Sequence, residues 1–124
     1  MILGANIREK RKKFELMDFN SFKTKTFKNI IATVFLVQLI IKYLIKKRKA
    51  KIIHISSSAS KKGSWGLSGY SSSKAAIDNV LKCLKYEYKQ LHIKSVYNFG
   101  PVKTRGYIYT NKKIKGKKFK NLLT

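Results

Sequence analysis

With 124 residues, 44% of them apolar, the chain suits one small domain with a core of its own and is too short for two. Its 29 Lys+Arg against 5 Asp+Glu, a net charge of +24, directs attention to polyanions. Only Arg8, Arg11, Arg48 and Arg105 are arginines, however, and a lysine excess of the kind an A/T-rich coding sequence produces, spread over solvated faces, accounts for the charge without a ligand. The single cysteine, Cys83, excludes an intramolecular disulfide. With no basic-then-apolar leader, it fits a cytoplasmic protein. His54 and His92 stand apart from any cysteine or carboxylate at ligand spacing, so no metal site is expected.

Residues 1–3 read as the end of a strand, followed by a polar loop over 4–13. Asp18, Asn20 or Ser21 can cap a helix, and from Phe22 to Ile45 apolar residues recur at helical intervals on more than one face, which predicts a well-buried helix. Gln38 and Lys42 interrupt the most apolar run, 30–45, which is shorter than a membrane span, so no membrane partner is expected. The basic run 46–49 closes the helix where its dipole favours cations.

Lys51-Ile-Ile-His-Ile-Ser56 is short, rich in isoleucine and followed by small polar residues, the pattern of a buried strand. Gly63, Gly66 and Gly69 punctuate a loop; they lack the Gly-Lys-Ser/Thr ending of a triphosphate cradle. A second helix is predicted over about 70–91, with Ile77, Val80, Leu81, Leu84, Tyr88 and Leu91 on one face. A strand is predicted over 93–99, and Gly100-Pro101 ends it.

The alternation of strand and helix predicts an α/β fold with right-handed crossovers onto a parallel sheet, a partial Rossmann-like doubly wound arrangement over 1–105, with a basic tail over 106–124. In such sheets ligands gather at the carboxyl ends of the strands, here residues 56–58 and 100–104. Beside the first lies Tyr70-Ser-Ser-Ser-Lys74, a phenol and an ammonium stacked on one helical face. There the Lys74 cation would favour the phenolate of Tyr70, which suits a general acid/base. The spacing alone is weak, because Tyr43/Lys47 and Tyr109/Lys113 share it.

These residues together resemble the C-terminal half of the short-chain dehydrogenase/reductase family. That family places a serine at the end of an Ile-x-x-Ile-Ser-Ser strand, thirteen residues before its tyrosine; Ile52-Ile53-His54-Ile55-Ser56-Ser57 stands so before Tyr70, with Ser58 the near alternative. The thirteenth residue before Tyr43 is Ile30 and before Tyr109 is Val96, so the other pairs fail. The family asparagine in the preceding helix, with a glutamine nine residues on, matches Asn29 and Gln38. The family's Pro-Gly-x-Val-x-Thr matches Phe99-Gly100-Pro101-Val102-Lys103-Thr104, with Phe99 in place of the first proline.

The resemblance implies an NAD- or NADP-dependent oxidoreductase interconverting a carbonyl and an alcohol, possible substrates including an acyl thioester. By that likeness Tyr70 exchanges the proton, Ser57 holds the carbonyl oxygen, Lys74 supports Tyr70 and binds the nicotinamide ribose, and Asn29 anchors a relay water. Gly100, Pro101, Val102 and Thr104 line the nicotinamide. It also implies a homo-oligomer through the two long helices, or a complementing N-terminal half, because the family's glycine-rich pyrophosphate loop has no counterpart in the sequence; a truncated or split form with impaired cofactor binding is the expectation. A basic nucleic-acid binder using residues 46–51 and the aromatic-rich tail is the alternative, an inactive gene fragment a third reading, and four ordered motifs favour the enzyme.

Overall fold

The computed structural model describes residues 1–7 and 9–98. Within them the order is β1 (Ile2–Leu3), a single 3-10 turn (Phe14–Leu16), α1 (Phe19–Leu44), β2 (Lys51–Ser57), the one-turn α2 (Ala59–Lys62), α3 (Ser68–Glu87) and β3 (His92–Asn98). The strands form one parallel sheet in the order β1-β2-β3. Ile2 pairs with Ile53 and Lys51 with His92, so successive crossovers through α1 and α3 step one strand at a time. Crossovers of one hand in one direction leave both long helices on the same face of the sheet, where they pack against each other. The partial Rossmann-like sheet is therefore as the strand and helix alternation predicts. The tail over 106–124 and residues 99–105 lie outside the described residues.

Alternation along β2 sorts its side chains. Ile52, His54 and Ser56 point at the helices and are buried, while Lys51 and Ile55 face away. The core joins Leu3, Ile52 and Ile93 of the strands to Val37 of α1 and to Ile77 and Leu81 of α3, with Ala50 and Leu91 at the strand entrances. α3 meets the sheet with Ser73, Lys74, Ile77, Asp78 and Leu81, an i, i+3/i+4 face that is polar in its first half and apolar in its second. That gradient sends the apolar half to the core and the polar half to the carboxyl end of β2. α3 stops at Glu87, so Tyr88 and Leu91, which periodicity places on the helix, lie in the turn leading to β3; both still touch the core.

One expectation is overturned. α1 is not well buried: only Asn29 and Val37 of its 26 residues are. Apolar residues on several faces do not by themselves supply enough neighbours; among the described residues the sheet and α3 cover one side of the helix. The sheet is likewise clothed on one face, and Ile2, Ile55 and Val96 stand 70%, 43% and 42% exposed on the other, where parallel sheets are usually covered too.

Candidate active site

Tyr70 and Lys74 occupy successive turns at the start of α3, as the sequence predicts. Lys74 is 3% exposed, and its Nζ donates to the Ile55 carbonyl at 2.8 Å. The bond is an anchor: it plants the ammonium against the carboxyl end of β2, two residues before Ser57. Tyr70 is half-buried. Ser57 ends β2, and its Oγ accepts from the Ala59 amide at 3.2 Å, which opens the turn of α2; Ser58 is the residue before that turn and its side chain makes no cap bond.

Asn29 is buried in α1, and both ends of its amide are engaged by one backbone unit. Oδ1 accepts from Ile7 N at 2.5 Å and Nδ2 donates to Ile7 O at 3.1 Å. The bidentate pair fastens the 4–13 segment across α1. Two residues further on, Glu9 Oε1 accepts from the Tyr70 amide at 2.8 Å, capping α3, whose own N-cap, Leu67, offers no acceptor. Gly69 sits between: a Cβ there would stand 2.8 Å from Glu9 Oε2 and from Thr26 Oγ1, so glycine permits the close approach of α3 to α1 and to the segment. The segment at 7–9 thus ties Asn29 of α1 to the first turn of α3, which carries Tyr70, while Lys74 ties α3 to β2 two residues before Ser57. Gly100, Pro101, Val102 and Thr104 lie outside the described residues.

Sequence reasoning missed what lies beneath. His54, isolated in the sequence, joins a buried cluster centred on Asp78. Asp78 Oδ1 meets His54 Nδ1 at 2.9 Å and accepts from Ser95 Oγ at 2.7 Å; Oδ2 accepts from Ser56 Oγ at 2.7 Å and Ser60 Oγ at 2.8 Å. Burial alone would raise the Asp78 pKa, but the bonds from Ser56, Ser95, Ser60 and His54 together hold it below the ordinary carboxylate value. Burial lowers the His54 pKa, the bond to Asp78 opposing and the Lys74 charge assisting, so His54 is neutral. A carboxylate only accepts, so Nδ1 carries the proton; Nε2 is buried without a partner. The available signal was Asp78 itself, a rare acid one turn after Lys74 on the inward face of α3, opposite the inward positions of β2.

A dinucleotide needs donors for a pyrophosphate, which helix N-termini commonly provide. Here the N-terminus of α1 is capped by the Asp18 carboxylate, 2.7 Å from Ser21 N, and that of α3 by Glu9. Each acid takes an amide of the first turn and sets a negative charge where a phosphate would bind, so among the described residues neither long-helix N-terminus suits a pyrophosphate.

A parallel three-stranded sheet with two crossover helices on one face defines a partial Rossmann-like α/β scaffold. A family model described as short chain dehydrogenase matches residues 1–115, and the chain belongs to that family. It is 31% identical over 81 residues to the 3-ketodihydrosphingosine reductase of Mus musculus, covering 65% of this chain and 24% of that one. Among solved structures, a short chain dehydrogenase/reductase family protein superposes with a TM-score of 0.78 at 25% identity, over 93% of this chain and 50% of its own. The 3-ketoacyl-(acyl-carrier-protein) reductase of Brucella melitensis, solved with NADH, shares the fold at a TM-score of 0.69 and 17% identity, over 76% of this chain and 41% of that one. The chain thus spans about a quarter of the length of the curated relative and up to half that of these solved structures.

Proposed function

We propose that this chain carries the active-site half of an NAD(P)-dependent carbonyl reductase whose substrate bears a keto group on a lipid-like chain. The observation that carries the proposal is the Lys74–Ile55 anchor, which holds a buried cation one helical turn after Tyr70 against β2, two residues before Ser57. The two named reductases, each described by its name as acting on a 3-keto compound, support the substrate class. A bound nicotinamide would supply hydride to the carbonyl carbon. The protein's part is to hold the carbonyl oxygen with the Ser57 hydroxyl, to give that oxygen a proton from Tyr70, and to balance charge at Tyr70 with Lys74. Asn29, bonded to Ile7, positions the segment from which Glu9 fixes the first turn of α3.

Because an acidic side chain caps the first turn of each long helix, the chain by itself binds NADH or NADPH weakly, with no saturation below about 1 mM in a fluorescence titration. A micromolar dissociation constant overturns that part. At millimolar cofactor, oxidation of NADPH or NADH with 3-ketodihydrosphingosine or acetoacetyl-CoA should exceed the buffer rate, and Tyr70→Phe should remove about 10²–10⁴-fold of it. Turnover unaffected by Tyr70→Phe, or none with either cofactor, refutes the catalytic assignment.

A further inference from the structure

Tyr70, Lys74 and Asp78 follow one another at four-residue intervals and so share one face of α3. The last two hold the carboxyl end of β2 residue by residue: Lys74 Nζ donates to the Ile55 carbonyl at 2.8 Å, and Asp78 Oδ2 accepts from Ser56 Oγ at 2.7 Å. Ser57 comes next in the strand, and it is tied from the far side by α2. Ser60 Oγ lies 2.8 Å from both Asp78 Oδ2 and the Ser57 carbonyl oxygen and shares its one hydrogen between them. The Ala59 amide donates to Ser57 Oγ at 3.2 Å. That bond occupies a lone pair of the hydroxyl, and among the described residues none accepts its hydrogen. The Ser57 hydroxyl is therefore a donor whose oxygen is fixed and whose hydrogen is available.

We propose that Asp78 is a positioning residue for carbonyl reduction: through Ser56 and Ser60 it fixes the Ser57 hydroxyl that holds the carbonyl oxygen. The inference rests on that role of Ser57. The two oxygens of the carboxylate divide the task. Oδ1 is held by His54 Nδ1 at 2.9 Å and Ser95 Oγ at 2.7 Å, and these two residues are register partners on β2 and β3, so the carboxylate is fixed to the sheet itself. Oδ2 is turned to Ser56 and Ser60, which bracket Ser57. Stability alone is a poor account of this arrangement, because apolar side chains of similar volume usually serve a core as well as a buried charge does. What a carboxylate with four donors adds is a fixed position for each of them. A donor to a developing oxyanion is effective only when it is already aimed, and a misplacement of about 1 Å costs about 10²-fold in rate.

The test is a double-mutant cycle on the full chain, reading kcat/KM for 3-ketodihydrosphingosine or acetoacetyl-CoA at millimolar NADPH, with each variant first shown to be folded by circular dichroism. Ser57→Ala is expected to lower the rate about 10²-fold. Ser60→Ala, which leaves the other three donors to Asp78 in place, is expected to lower it about tenfold, and Ser60→Thr, which keeps the hydroxyl, to stay within about threefold of the parent. Asp78→Asn is expected to lose about tenfold or more. In the Ser57→Ala background both Ser60→Ala and Asp78→Asn should change the rate less than about twofold, because the hydroxyl they position is gone. Ser60→Ala alone decides where Asp78→Asn does not fold. A damaging Ser57→Ala on which the other two substitutions act as strongly as they do on the parent, or a Ser60→Ala chain as active as the parent, overturns the proposal and leaves the role of Ser57 standing. A Ser57→Ala chain as active as the parent, or no turnover by the parent, overturns that role and the proposal with it.

Discussion

Replacing Asp78 by Ala should be the most damaging single change in the described fold. Four donors converge on its carboxylate at 2.7–2.9 Å. At about 1.5–3 kcal/mol for each hydrogen bond to a charged group the gross interaction is roughly 6–12 kcal/mol, against which stands the cost of burying the charge, several kcal/mol. Removing one partner from such a buried set costs about 3–5 kcal/mol net. Local alternatives favour the lower end, because Ser60 Oγ also donates to Ser57 O at 2.8 Å and Ser56 Oγ has Ser60 Oγ within 3.3 Å. His54 has no such substitute, since its Nε2 is already buried without a partner. Urea unfolding at pH 7.5, followed by far-UV circular dichroism, should show the midpoint falling by about 2 M at an m-value near 1.5 kcal/mol/M. Asp78→Asn, which keeps the shape but turns an N–H toward two of the four donors, should lose at least half as much. A loss under about 1 kcal/mol in the Ala variant, or an Asn variant as stable as the parent, would refute the idea that a charged acceptor organises this end of the core.

Acid should act on the same cluster. Both His54 and Asp78 have pKa values lowered by folding, so the unfolded chain binds more protons and stability rises with pH. The His54 contribution is full above its ordinary value of about 6.5 and declines below it, and the Asp78 contribution is lost below about 3.8. Urea midpoints between pH 8 and 4 should therefore fall, with His54→Gln flattening the part between about 7 and 5. Gly66 has a φ of +67°, and a Cβ there would meet Lys12 N at 2.9 Å. Gly66→Ala should cost about 1–2 kcal/mol from the dihedral and more from the contact, since Gly66 O already accepts from Lys12 N at 3.2 Å; equal midpoints would contradict this. Glu9→Ala removes the cap on Tyr70 N and should cost about 1 kcal/mol, with Glu9→Gln recovering most of it, read from the same unfolding curves.

Much of this molecule is written locally. The isoleucines of β2, the small residues after it and the 3.6-residue rhythm of α3 each follow from neighbours a few positions away, and Tyr70, Lys74 and Ser57 stand out through spacing within one strand-loop-helix unit. What sequence spacing does not carry is contact between distant segments of a chain. The partners of Asn29 are 22 residues away, Glu9 caps a helix 61 residues on, and His54 reaches Asp78 across 24. The exposure of α1 is of the same kind: its apolar residues are plain in the sequence, but burial depends on which elements pack beside it. The sequence by itself determined the family's motifs and the α/β order, because hydrophobic period and turn chemistry are local properties. Only the tertiary structure decided that an aspartate knits together a histidine and three serines between α3 and the sheet, and that a long helix keeps one greasy face to the outside, because both depend on how parallel strands bring remote residues side by side.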